Sequence, residues 1–146
     1  MNTELSKIID LINFKEYSKA LKAINNNLKL NPNSFAMNKA QGIAFLCLER
    51  HNSALQAFNK CFEMKSDDYD INVNLAFLFN KVQDYKNSLK FSENALKIKD
   101  DMPEVHHNMG LAYLNISELE KAEQYFLKSI ELRGGLNNLD ILRFKD

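Results

Sequence analysis

The sequence predicts an all-α fold, an α-solenoid of stacked antiparallel helix pairs, on three observations. The chain repeats itself every 34 residues with no insertion or deletion. Pro103 to Leu132 falls in step with Tyr69 to Ile98, then with Phe35 to Met64, then with the N-terminal stretch. The columns of this register also alternate in size. Leu11, Phe45, Phe79 and Tyr113 are all large, Ala20, Ala54, Ser88 and Ala122 all small, and Ile8, Gly42, Ala76 and Gly110 small in three of four. Helices packed about 8–10 Å apart need a small residue where backbones approach and a large one in the hole beside it. Finally, each period reads as two amphipathic helices punctuated by turn and cap residues.

The elements follow in order. The first helix runs from about Thr3 to Phe14, with Thr3 as a cap and Glu4 in the favourable first turn. Its partner covers about Tyr17 to Leu30 and is stopped by Asn31-Pro32-Asn33-Ser34, where Pro32 cannot continue a helix and Ser34 caps the next. Helices follow at about Phe35–Leu48 and His51–Met64, then a Ser66-Asp67-Asp68 turn and cap. The next pair is about Tyr69–Val82 and Tyr85–Ile98, after which Asp100-Asp101 is the expected cap. Pro103 sits in a first turn, where its missing N–H is harmless. The last pair is about Pro103–Ile116 and Leu119–Leu132, ended by Gly134-Gly135. Residues 137–146 then carry Leu139, Ile141, Leu142 and Phe144. They read either as a capping helix over the last pair or as the start of a further repeat, since repeat arrays expose an apolar end face.

These residues resemble the tetratricopeptide repeat, whose pattern joins Leu-Gly, Tyr and an Ala-x3-Phe-x2-Ala run to a closing Pro. The last repeat supplies Met109-Gly110, Tyr113, Ala122, Phe126 and Ser129; the second supplies Gly42, Phe45, Ala54, Phe58 and Cys61. The third carries Leu75-Ala76, Phe79, Ser88 and Ala95, and the first Tyr17, Ala20, Leu28 and Pro32. Two departures stand out. The column that holds Trp in the family is Glu4, Asn38, Asn72 and His106, all polar. Lys7-Ile8 replaces Leu-Gly in the first helix, so looser or rotated packing against Ala20 is expected.

The resemblance implies repeats at 1–34, 35–68, 69–102 and 103–136, wound as a right-handed superhelix. It also implies a concave groove lined by the first helix of each pair. One groove column is Ile9, Ile43, Phe77 and Leu111, apolar throughout. Its neighbours are Ile12, Leu46, Asn80 and Leu114; Leu5, Lys39, Val73 and His107; and Ser6, Ala40, Asn74 and Asn108. Related arrays use Asn in this last column to bond a peptide backbone, because an amide both donates and accepts. The binding set is therefore Ile9, Lys39, Ile43, Leu46, Asn74, Phe77, Asn80, His107, Asn108 and Leu111. The bland alternative is that the apolar column only packs neighbouring helices together. A family subtype clamps an acidic C-terminal carboxylate with Lys and Asn. Lys39 and Asn74 match that clamp, but Ile43, Glu104 and Asn108 stand where Asn, Lys and Arg are needed, so it is disfavoured.

Composition narrows the function further. The 146 residues hold 19 basic and 19 acidic side chains, a balance that favours neither nucleic acid nor an anionic membrane. By repeat the net charge runs +2, 0, 0 and −2, a mild gradient compatible with weak head-to-tail self-association. No apolar run reaches the roughly 18 residues of a membrane span. The N-terminus, with Glu4 and Asp10, does not read as a signal peptide. Cys47 and Cys61 have no CxxC spacing, so neither a metal site nor a disulfide framework is expected and a cytoplasmic location is the default. His106 and His107 are adjacent and point to different helix faces, and no glycine-rich phosphate loop is present. Catalytic residues, metals and cofactors are not expected. The leading reading is a non-catalytic scaffold or chaperone-like adaptor that holds an apolar, extended or helical segment of another protein. The alternatives are a recruiting arm of a larger enzyme, such as a glycosyltransferase or sulfotransferase, and a self-assembling array.

Overall fold

The computed structural model describes residues 3–134. Among them are eight helices and no strand: α1 (Thr3–Asn13), α2 (Tyr17–Leu30), α3 (Phe35–Cys47), α4 (His51–Met64), α5 (Tyr69–Lys81), α6 (Tyr85–Ile98), α7 (Pro103–Asn115) and α8 (Leu119–Leu132). The expected capping role of residues 137–146 lies outside the described residues. The fold is all-α and of the α-solenoid class, and its helices fall into two compact units divided at Ser66 and Asp67. In the first, α1 packs on α2, α2 and α1 on α3, and α3 on α4; in the second, α5 to α8 repeat the scheme.

Helix ends follow local chemistry. Ser34 and Asp68 accept from the backbone N–H of Met37 and Ile71, and Asp84 from that of Asn87. The expectation for α7 is corrected: its N-cap is Met102, without a side-chain cap bond, and Pro103 occupies the first turn. The acidic pair does not cap because the cap column that holds Ser34 and Asp68 holds Met102 here, and Asp101 and Asp100 lie one and two residues before it. Thr3 is the first residue of α1 rather than its cap.

Within each pair the chain reverses through one repeated turn. Lys15, Glu49, Gln83 and Ser117 all have φ between 58° and 65°. The N–H of each following residue reaches back to Leu11, Phe45, Phe79 or Tyr113 at 2.8–2.9 Å, the six-to-one bond of a Schellman turn. None of the four left-handed positions is glycine, although that conformation costs an L-residue about 1–2 kcal/mol. The backbone bonds and the packing of the flanking helices impose it. Gln83→Gly is therefore expected to hold or slightly raise the melting temperature, whereas Gln83→Val should lose about 1–2 kcal/mol. Parallel thermal melts would check this, and an unaffected Val variant would contradict the turn.

The core lies where the small and large columns meet. In the first unit Ile8, Ala20, Ile24, Met37 and Ala40 form one buried cluster, with Leu5, Leu11, Ile12, Ala23 and Leu28 packed around it. Packing at Ala20 is closed rather than loose, because Ile8 and Ile24 are both fully buried there. Where α3 meets α4 a Gly–Phe pair does the same work. A Cβ on Gly42 would stand 2.7 Å from the Phe58 ring, and one on Gly110 would stand 2.7 Å from the Phe126 ring. Cys61 is fully buried as a small apolar residue, its Sγ 3.9 Å from the Phe35 carbonyl.

Candidate functional site

In the first unit the site starts from the spacing of α1. Ile8 points into the core, while Leu5, Ile9 and Ile12, at i, i+4 and i+7, form a second apolar stripe. Small Ala36 and Ala40 on α3 let the two helices approach. Between them lies a cavity of about 360 Å³, to which Ile9, Lys39 and Ile43 all contribute. Ile9 is 44% exposed at its mouth. Three of the expected binding residues are thus brought together on one apolar surface. Leu46, one turn further along α3, is half-buried and does not line this cavity.

In the second unit Asn74, Phe77 and Asn80 lie on α5, and His107, Asn108 and Leu111 on α7. Phe77 and Leu111 are half-buried, and the Lys81 ammonium sits 5.3 Å from the Phe77 ring centre. Asn80 donates through Nδ2 to the Asn108 carbonyl at 2.9 Å, tying α5 to α7. Asn108 itself is 4% exposed, so of the two amides in that column it is Asn74 that reaches the surface. His107 stands apart from them. It leans on the Phe126 ring at 5.5 Å and lines a cavity of about 520 Å³ with Leu119, Ile130 and Arg133 of the last pair. Burial, and secondarily the Arg133 charge, hold its pKa below the usual imidazole range.

The polar column that replaces Trp has a purpose that its sequence did not disclose. Asn38, Asn72 and His106 are 2%, 0% and 7% exposed. Asn38 donates to the Pro32 and Ser34 carbonyls at 3.0 and 2.7 Å, and Asn72 to the Asp68 carbonyl at 2.8 Å. His106 donates through Nε2 to the Asp100 carbonyl at 2.8 Å, which places its proton on that nitrogen. Each side chain ties its helix to the turn before it, and at Ser34 and Asp68 it adds a second donor to a carbonyl that already accepts the backbone N–H of Asn38 or Asn72. The only signal in the sequence was polarity recurring at a position otherwise reserved for a large apolar group. Asn38→Leu is expected to cost about 1–3 kcal/mol by removing both side-chain bonds from a buried position. Urea denaturation measures the loss, and a Leu variant as stable as the parent would contradict the bonds.

Among the described residues no group of His, Cys, Asp or Glu is arranged to hold a metal ion, and no helix is long and apolar enough to cross a membrane.

Comparison with known proteins places these features. A family model described as Psidin, N-terminal TPR repeats region, matches residues 3–129. Against curated protein sequences the chain has no significant match. Solved structures of MamA share the fold. MamA from Desulfovibrio magneticus RS-1, from residue 41 to its end, is 18% identical with a TM-score of 0.83, covering 92% of this chain and 76% of that one. A MamA RS-1 double mutant is 19% identical with a TM-score of 0.82, covering 90% and 74%. Another MamA crystal structure is 17% identical with a TM-score of 0.82, covering 90% and 77%. At these identities the likeness concerns the fold alone. The chain belongs to the tetratricopeptide-repeat family, a fold that serves generally as a non-catalytic protein-interaction scaffold.

Proposed function

We propose that this tetratricopeptide-repeat chain is an adaptor that holds an apolar segment of another protein, extended or helical, on the first helices of its pairs. The observation that carries the reading is the α1–α3 cavity, open to solvent and walled by Leu5, Ile9, Ile12 and Ile43. Contiguous apolar surface of this kind usually marks an interaction site. An apolar partner side chain would enter beside Ile9, and the aliphatic stem of Lys39 would flank it. In the second unit Phe77 and Leu111 would offer a similar surface, with the Asn74 amide bonding the partner's backbone. The balance of 19 basic and 19 acidic side chains favours a protein partner over a nucleic acid. A cytoplasmic location belongs to the same proposal, on the ground that Cys47 and Cys61 lack the spacing of a disulfide framework.

The test begins with affinity capture and mass spectrometry from the source cells, using the wild type beside Ile9→Glu. The partner that depends on Ile9 is then taken to calorimetry. Capture of the same proteins in the same amounts by both forms would remove the cavity from the account.

A further inference from the structure

We propose that a basic cleft on α2 is a second binding site, for an acidic peptide segment that carries two or three carboxylates beside an apolar side chain. The cleft holds about 550 Å³ and shares no lining residue with the α1–α3 cavity. Lys22 and Lys29 of α2 and Arg50, at the N-cap of α4, bring three cations to it. No carboxylate lines it, and α2 has no acidic residue in its whole length. The carboxylate just before α2, Glu16, is already bound by Lys19 at 2.9 Å. Among the described residues none of the three cations has a carboxylate partner. Amides complete the polar side. The Asn25 oxygen accepts from Gln41 at 3.1 Å, which leaves the Asn25 N–H groups to donate, and Asn26 lies next to it.

Size and spacing select the occupant. Lys22 and Lys29 are two helical turns apart, about 10 Å along the axis, a spacing that carboxylates along a peptide match without the two lysine stems having to converge on one small anion. The volume falls in the range of roughly 300–1,000 Å³ that ligand pockets occupy. Leu21 and Phe45 supply an apolar wall for a side chain between the acids. Such a site would read charge in the partner where the α1–α3 cavity reads apolar surface.

The probe is a fluorescein-labelled, acetylated peptide of three glutamates and one leucine, with its all-glutamine counterpart as control. Fluorescence anisotropy is read at 50 and 500 mM salt. The expected result is saturable binding of the acidic peptide, at least tenfold weaker at high salt, with the glutamine peptide inactive. Lys22→Glu, Lys29→Glu and Arg50→Glu should each weaken it at least tenfold while circular dichroism stays unchanged. Ile9→Glu should bind as the wild type does, which separates this site from the α1–α3 cavity. Equal binding of the two peptides, or unaltered binding by all three charge reversals, overturns the proposal. So does full competition by millimolar inorganic phosphate, which would mark a site for a simple anion. Self-association that Lys22→Glu abolishes, seen by light scattering without peptide binding, would make a second copy the occupant and overturn it as well.

Discussion

Phe58→Ala is expected to destabilise the protein by about 3–5 kcal/mol, the usual loss for a buried Phe whose cavity cannot collapse. Phe58 is fully buried, and its ring fills the space opposite Gly42. Gly42→Ala should also destabilise, by about 1–3 kcal/mol, because the added Cβ stands 2.7 Å from that ring. The two losses should not add. With Phe58 truncated the Cβ meets no ring, so Gly42→Ala on the Phe58→Ala background should cost little. Urea denaturation of the four proteins in the cycle would read a coupling of about 1–2 kcal/mol. Additive losses would mean that the helices do not meet at this point. The third helix pair already shows the compensated state, since fully buried Ala76 and Ser92 occupy the same two columns. In the first pair those columns are Ile8 and Ile24.

The second large effect concerns binding. Ile9→Glu places a carboxylate at the mouth of an apolar cavity, and burying it against a partner's side chain is costly. Affinity for an apolar segment is expected to fall at least tenfold, about 1.4 kcal/mol. The fold should be unaffected, because Ile9 is 44% exposed while Ile8 beside it carries the core contact.

Much of this architecture was legible because the period is strict. Both limits of all eight helices fall within one residue of those the register implied. The small column was readable too, but its partner was not. That Gly42 requires Phe58, and Ile8 requires Ile24, is a relation between columns, and each column taken singly gives only its own size. Capping was legible at Ser34 and Asp68, where the side chain had a free N–H three residues on. It failed at Asp100-Asp101 because the cap column of the register holds Met102 there, which has no side-chain oxygen to accept an N–H.

The site divides in the same way. Ile9, Lys39 and Ile43 were found together because one face of α1 is apolar beyond what the core uses. Asn108 and Asn80 were read as amides facing a partner, yet one is buried and the other donates to its neighbour's carbonyl. Column position sets the side of a helix, whereas the depth of a residue depends on the next helix. His107 differs for another reason: it belongs to the last pair, where no following helix covers its column among the described residues. The basic cleft on α2 also escaped the sequence reading. Its charges come from two lysines two turns apart on one helix and from an arginine at the start of another, and summed over the chain they cancel.

The most direct measurement is calorimetric titration of the captured partner's peptide into three proteins: wild type, Ile9→Glu, and Gln56→Glu on the exposed face of α4. Wild type and Gln56→Glu should bind alike, and Ile9→Glu at least tenfold more weakly with its circular dichroism unchanged. Normal binding by Ile9→Glu together with lost binding by Gln56→Glu would contradict the account, because the partner would then sit on the second helices and not in the α1–α3 cavity.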